Sequence, residues 1–520
     1  MAPTTGKAYD RRWWTLAVLA MSLLVISLDN TILNVALPTI ERELDASAGA
    51  LQWIVDSYTL VFAGLLLTMG SLGDRFGRRL SLVIGLAVFG AASLLSALAT
   101  SADMLIASRA LMGIGGALIM PSTLSILTNV FPAEERPKAI GIWAAVAGLG
   151  IAIGPVAGGW LIEHFSWGSV FLVNLPIVAV ALAAAPALVP ESRDPKASRL
   201  DPVGAMLSTA GLGVLTWAII EAGGERGWTD GAVLGGFGVA LAALVAFVAW
   251  ELRSSAPMLD VRLFAVRRFS GASVSIALVF FALFGAIFFL TMYLQEVLDY
   301  GALEAGLRVT PIAAGLVLGG PVSAKLVGRL GTRNVVAAGL TIVAGAMLLL
   351  GTADVHTGYG LIGASLVLMG IGMGATMAPA TESIMSSLPL AHAGVGSAMN
   401  DTVRMVGGTL GVAILGSLLS SSYGADMERA VQGLPPEAQA AAEGSIGGAG
   451  AVAEQIGGGA GATLNRVAET AFSSAMSSTL TVAAAVAMAG ALVALVVLPG
   501  RERERVEKRT VHAEAAAAAA

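Results

Sequence analysis

The sequence predicts an all-α integral membrane protein: two six-helix bundles joined by an extra helix pair, fourteen transmembrane helices in all. Three observations carry that reading. Of 520 residues 56% are apolar and only 12% charged; fourteen apolar runs have the length of a bilayer; and a short basic motif recurs 254 residues later in the chain. A soluble domain carries about 25% charged residues, and a mean hydropathy of +0.80 excludes both a soluble globular chain and a disordered one. A net charge of −5 argues against a nucleic-acid partner. With no cysteine there is no disulfide framework, no thiolate nucleophile and no thiolate metal site.

A helix needs about 20 mostly apolar residues to cross roughly 30 Å of hydrocarbon. Runs of that kind lie at 14–36, 51–70, 81–100, 104–126, 139–161, 168–188, 203–222, 230–250, 269–292, 305–324, 335–353, 358–380, 395–420 and 473–498. The first exceeds a signal-peptide core and lacks a convincing cleavage site, so it is counted as structure. Positive loops stay in the cytoplasm, and with the N-terminus inside, 23 of the 30 basic residues fall on the cytoplasmic side. Outer loops keep only Arg42, Arg226, Arg429 and Arg466, while an even number of crossings returns Arg501, Arg503, Arg505, Lys508 and Arg509 to the cytoplasm. Both termini are therefore expected there.

The repeat sets Gly70 to Arg79 on Ala324 to Arg333, matching Leu72 with Leu326, Arg75 with Arg329, Gly77 with Gly331 and Arg79 with Arg333. It maps spans 1–6 onto spans 9–14. The expected units are a bundle over 1–190, a linker with two spans over 191–267, a second bundle over 268–500, and a basic, Ala-rich tail over 501–520. Parallel repeats put a substrate site between the bundles near the midplane, with access alternating by rocking. The Ala- and Gly-rich outer segment 421–472 reads as a mobile flap or short hairpin.

A charge at the bilayer centre costs about 3 kcal/mol even on a lenient scale, so intramembrane ionisable residues are functional candidates. Here they are Asp29, Asp56, Arg109, Asp401 and Arg404, with Glu221 and Arg308 near span ends. At about 1.5 Å per residue, Asp29 (first span), Asp56 (second) and Arg109 (fourth) share one layer. Two carboxylates near one guanidinium either exchange partners on protonation, coupling protons to gating, or form a fixed pair that orients helices. Asp401 and Arg404, three residues apart, share a helix face; they either neutralise each other or leave Asp401 facing the central cavity to attract a cation. All four histidines (His164, His356, His392, His512) fall in loops or the tail, so proton carriage rests on carboxylates and no metal cluster is expected in the membrane.

Phe281, Phe284 and Phe288 form an i, i+3, i+7 stripe, and Trp53 and Tyr58 flank Asp56. Aromatic faces beside a carboxylate suit lipophilic cations, although such stripes also face lipid or a neighbouring helix, and Trp53 also fits an interfacial anchor. In the fifth span Gly150, Gly154 and Gly158 recur every four residues, a face for close helix approach, and Pro155 invites a kink. The turn from Gly73 to Arg79 sets Asp74 among Arg75, Arg78 and Arg79, where a carboxylate can bond an arginine or meet a helix N-terminus and so latch the inner side.

These residues resemble the fourteen-helix drug/proton antiporters of the major facilitator superfamily over nearly the whole chain. Gly70, Gly73, Asp74, Arg75, Gly77, Arg78 and Arg79 resemble the family's inner-loop motif; Leu28 to Pro38, containing Asp29, is similar to its first-helix motif; Arg109 with Gly113 resembles the fourth-helix motif. Gly141, Gly150, Gly154, Pro155, Gly158 and Gly159 fit the fifth-helix antiporter motif. The resemblance implies a major facilitator fold in a bacterial plasma membrane, and export of lipophilic, cationic drugs by a monomer that uses the proton gradient and no cofactor. It further implies that Asp29 and Asp56 take part in both substrate and proton exchange, that Arg109 serves proton transfer, and that Asp401 contacts cationic substrate. One departure stands out: the tenth span carries no acid, although some similar cation pumps have one there. Export of a single self-made metabolite is the alternative, and no catalytic set indicates an enzyme.

Overall fold

The computed structural model describes residues 7–44, 46, 48–193, 201–223, 226–254, 257, 259–389 and 392–500. Lys196, Arg199 and the basic, Ala-rich tail lie outside the described residues, as does the Arg42 side chain. Fourteen spans among the described residues are long and apolar enough to cross a membrane, and one main helix stands for each. They are α1 (Arg12–Leu44), α2 (Ala48–Phe76), α3 (Arg78–Ala97), α4 (Ala102–Val130), α5 (Arg136–His164), α6 (Asn174–Leu188) and α7 (Pro202–Gly223). These continue as α8 (Gly231–Arg253), α9 (Arg267–Met292), α10 (Pro311–Leu330), α11 (Thr332–Leu350), α12 (Tyr359–Met385), α13 (Ala393–Met427) and α14 (Gly458–Val497).

The two halves repeat one packing scheme. In the first, α1 lies on α5 and α4 is flanked by α2 and α3; in the second, α9 lies on α13 and α12 is flanked by α10 and α11. The repeated turns share a backbone device: Gly77, between α2 and α3, and Gly331, between α10 and α11, have φ of 127° and 81°, a region side chains other than glycine rarely enter. Across the midline α5 meets α10 and α12, while α13 meets α2 and α4. The extra pair is peripheral. Leu234, Val239, Leu241 and Val245 of α8 face outward, and α7 covers the seam of α2 and α13, where Leu67, Leu212, Phe247, Leu259, Val395 and Ala398 form a second apolar cluster. Thr68 of α2 and Thr209 of α7 bond there at 3.2 Å.

The segment read as a mobile flap or short hairpin is folded, and it is helical. Helix α13 runs on to Met427, α14 starts at Gly458, and short helices Pro436–Gly444 and Ile446–Ile456 lie between them. Their small residues bury a core of Val431, Ala442, Ala449, Val452 and Ala468, and Tyr423 donates to the Ala442 carbonyl at 3.1 Å. Low side-chain bulk, which resembles a flexible linker in composition, here permits close helix contact. Two other spans are interrupted. Val173 separates Ser169–Leu172 from α6, and Ala302–Val309 precedes α10 and carries Arg308, paired with Glu304 at 2.6 Å. Glu221, at the end of α7, pairs with Arg226 at 2.8 Å.

Candidate functional site

Helices α1, α2, α4 and α6 converge on one buried ion pair. Arg109 Nη1 lies 2.5 Å from Asp29 Oδ2, and both residues are almost wholly buried, at 1% and 0% exposure. The other oxygen, Asp29 Oδ1, accepts from Asn174 Nδ2 at 3.2 Å, and the same amide donates to Ser93 Oγ at 3.1 Å. Arg109 Nε donates to the Ile54 carbonyl at 3.2 Å, and its guanidinium covers the Tyr58 ring at 4.6 Å. Tyr58 in turn stacks on Phe62 at 5.7 Å. Both Asp29 oxygens thus have a partner in this low-dielectric setting, as burial requires.

Asp56 is partly exposed and is not among the partners of Arg109. The shared layer inferred from helix rise therefore yields a pair with an amide rather than a trio. Rotation explains the difference: residues i and i+2 lie about 200° apart on a helix, so with Tyr58 turned to Arg109, Asp56 faces elsewhere. Trp53 is 41% exposed. The missing member, Asn174, is a polar side chain within the sixth span; counting charges alone passes over it.

A second polar group lies where the halves meet. On α13, Asp401 is 1% exposed; its Oδ1 accepts from Asn400 Nδ2 at 3.3 Å and from Arg404 Nη1 at 3.4 Å. Its Oδ2 is buried and accepts no hydrogen bond. Asn400 is held by Thr381 of α12 at 3.1 Å. The Arg404 guanidinium lies over the rings of Phe280 (α9, 4.6 Å) and Trp143 (α5, 5.7 Å), and Trp143 donates to Thr123 of α4 at 3.2 Å. Phe280, absent from the aromatic stripe read in the sequence, thus meets the charge. The stripe itself is divided: Phe281 is buried where Gly411 brings α13 against α9, Phe284 is half-buried against Gly408, and Phe288 is 47% exposed. Helix packing therefore occupies Phe281 and Phe284, because the glycines of α13 draw that helix onto their face.

At the arginine-rich end, Asp74 joins the halves. Its Oδ1 and Oδ2 accept from the first backbone amides of α13, Gly394 N at 2.7 Å and Val395 N at 3.0 Å, while Arg78 Nη2 lies 2.6 Å from Oδ1. A carboxylate at a helix N-terminus satisfies orphan N–H groups and meets the positive end of the helix dipole. The approach depends on glycine. A Cβ on Gly70 would stand 2.6 Å from the Gly394 carbonyl, and one on Gly394 would stand 2.6 Å from Asp74 Oδ1. Arg79 is engaged elsewhere, 3.6 Å from Glu191, and Arg75 lies over Phe76 at 5.6 Å. Gly73 packs against the Ser81 hydroxyl.

The sequence profile of the Major Facilitator Superfamily matches residues 19–412. This chain belongs to that superfamily. A multidrug efflux pump of Mycolicibacterium smegmatis, LfrA, is 39% identical over 94% of this chain and 97% of its own length. The tetracenomycin C resistance and export protein of Streptomyces glaucescens is 34% identical over 95% of this chain and 93% of its own. Among solved structures, the human organic anion transporter MFSD10 superposes with a TM-score of 0.61 at 15% identity, covering 94% of this chain and all of its own; that similarity speaks to fold alone.

In this superfamily member α5 is held on two faces. Gly150 and Gly158 lie against Ser27 and Ile32 of α1, where an added Cβ would stand 2.6 Å and 2.9 Å from their side chains, and Gly154 meets Thr31. The opposite face meets the second half: Gly141 against Gly320, Gly159 near Leu303, and Pro155 against Gly306. The glycine line thus binds α1 and α5 into one body and also forms part of the seam between halves.

Proposed function

We propose that the protein exports lipophilic, cationic compounds from the cytoplasm across a bacterial plasma membrane, driven by protons moving inward, with both termini cytoplasmic. The observation that carries this reading is the 39% identity, along almost the whole chain, to a multidrug efflux pump. The 34% identity to a methyl viologen resistance protein of Salmonella typhimurium, SmvA, supports the cationic class.

In the mechanism proposed, drug and proton compete. With the cytoplasmic side open, a cation entering between the halves meets Asp56 and Asp401 and displaces a proton; with the outer side open, a proton takes the carboxylate and the drug leaves. Protonation of Asp29 removes the negative partner of Arg109 and leaves a buried guanidinium held only by neutral groups, which favours a different arrangement of α1 and α4. Asp74, bonded to the N-terminus of α13, holds the cytoplasmic ends of α2 and α13 together in one of the two states. Inward proton movement with net charge adds about 2.3 kcal/mol per charge per 100 mV. The unit is a monomer in lipid and needs no cofactor.

Reconstituted vesicles test this directly. An imposed proton gradient drives ethidium against its concentration gradient, and a protonophore abolishes the movement; ethidium flux indifferent to the gradient rejects proton coupling. A second reading, export of one endogenous product, draws on the 34% identity to the tetracenomycin C export protein. Competition by chemically unrelated dyes favours the first reading, and its absence the second.

A further inference from the structure

Arg404 occupies a site with the chemistry of a receptor for organic cations. Three components of such a receptor surround its guanidinium: the faces of Phe280 and Trp143, at 4.6 Å and 5.7 Å, and the Asp401 carboxylate at 3.4 Å. The components come from three helices, α9, α5 and α13, and from both halves of the molecule. Two features separate this from a settled structural salt bridge. The Asp401–Arg404 contact is long and uses one oxygen only, whereas Asp401 Oδ2 is buried with no hydrogen-bond partner. A fully satisfied carboxylate uses both oxygens, as Asp29 does with Arg109 and Asn174. Moreover, Arg404 hangs on a flexible stem, and its side chain keeps 13% of its surface exposed.

We propose that Arg404 is a tethered occupant of the cation site, filling the cage of Phe280, Trp143 and Asp401 in this conformation and displaced when a lipophilic cation binds. This deepens the export reading and rests on it. Displacement links binding to the gate, because Arg404 and the Asp74-bonded amides of Gly394 and Val395 share α13. From Gly394 to Asp401 is seven residues, about 10 Å along the helix. It also sets selectivity: the charge that a substrate replaces must be positive, since an anion would gain nothing from Asp401 and would leave Arg404 in place.

The test is equilibrium binding of tetraphenylphosphonium and of a neutral compound of similar size to the full-length protein in lipid nanodiscs. Arg404→Gln removes the internal competitor and raises tetraphenylphosphonium affinity at least about tenfold, with the neutral compound unchanged. Arg404→Lys keeps the charge but loses the planar stacking; it gives an intermediate affinity and guards against an Arg404→Gln protein that does not fold. Asp401→Asn weakens the cation. If the parent binds the cation and Asp401→Asn weakens it, but neither Arg404 variant strengthens it, the tethered-occupant proposal is overturned while the export reading stands. If the parent does not bind the cation and Asp401→Asn changes nothing, the cation-export reading falls and this proposal with it.

Discussion

Removing the charge of Asp29 leaves Arg109 buried against neutral partners, and breaking a buried pair from one side costs about 3 kcal/mol or more. Asp29→Asn is therefore expected to lower the midpoint of thermal unfolding in detergent, and Asp29→Asn combined with Arg109→Gln to recover much of the loss; an unchanged midpoint in the single variant would show that the pair contributes nothing. Asn174→Ala strands Asp29 Oδ1, while Ser93 keeps its bond to the Phe171 carbonyl, and is expected to cost about 1–3 kcal/mol by the same assay. A surface pair behaves differently. Arg12 donates to Glu135 at 2.7 Å and holds its carboxyl below the ordinary value, so its contribution is complete above about pH 4.3 and disappears as pH falls through the lowered pKa. Being solvated, it is worth at most about 1 kcal/mol, and Arg12→Ala should matter at neutral pH and not in strong acid. The charged residues of this site were legible in the sequence because the membrane makes each one costly. Asn174, Asn400 and Trp143 were not, because polar and aromatic residues without charge are common in spans and only rotation about the helix axis brings these three to a charge.

At the scale of elements, the decisive contact is α2 against α13. Two backbone amides donating to one carboxylate amount to charged hydrogen bonds worth about 1.5–3 kcal/mol each. Asp74→Asn should therefore shift the population toward a state in which the arginine-rich ends separate. The chain has no cysteine, so a single Val395→Cys, buried at the seam, reports opening without background. Thiol labelling from that side is expected to quicken about tenfold when Asp74→Asn is added, and equal rates would remove Asp74 from the gate. The motif around Asp74 was readable as a turn of arginines and glycines. Its partner was not, since nothing in residues 393–395 marks them as the receiving end. The 421–472 segment shows the opposite limit: alanine and glycine suggest a loop by composition, whereas burial of Val431, Ala449 and Ala468 makes it helical.

For the whole molecule, periodic hydropathy and the 254-residue repeat gave the span count and the two-fold scheme, because helix length and loop charge are fixed by the bilayer itself. How the halves touch depends on glycine pairs such as Gly70 with Gly394 and Gly141 with Gly320, which no single segment reveals. Helix α7 covers the α2–α13 seam, so movement of the halves must shift Leu212 against Val395 and Ala398. The central claim is that buried carboxylates exchange protons for a cationic substrate. Its most direct measurement is proton release on adding tetraphenylphosphonium to purified protein in weakly buffered detergent solution. The parent is expected to release protons in proportion to bound cation, with less released by Asp29→Asn and by Asp401→Asn; equal release from all three proteins, or none from the parent, would contradict it.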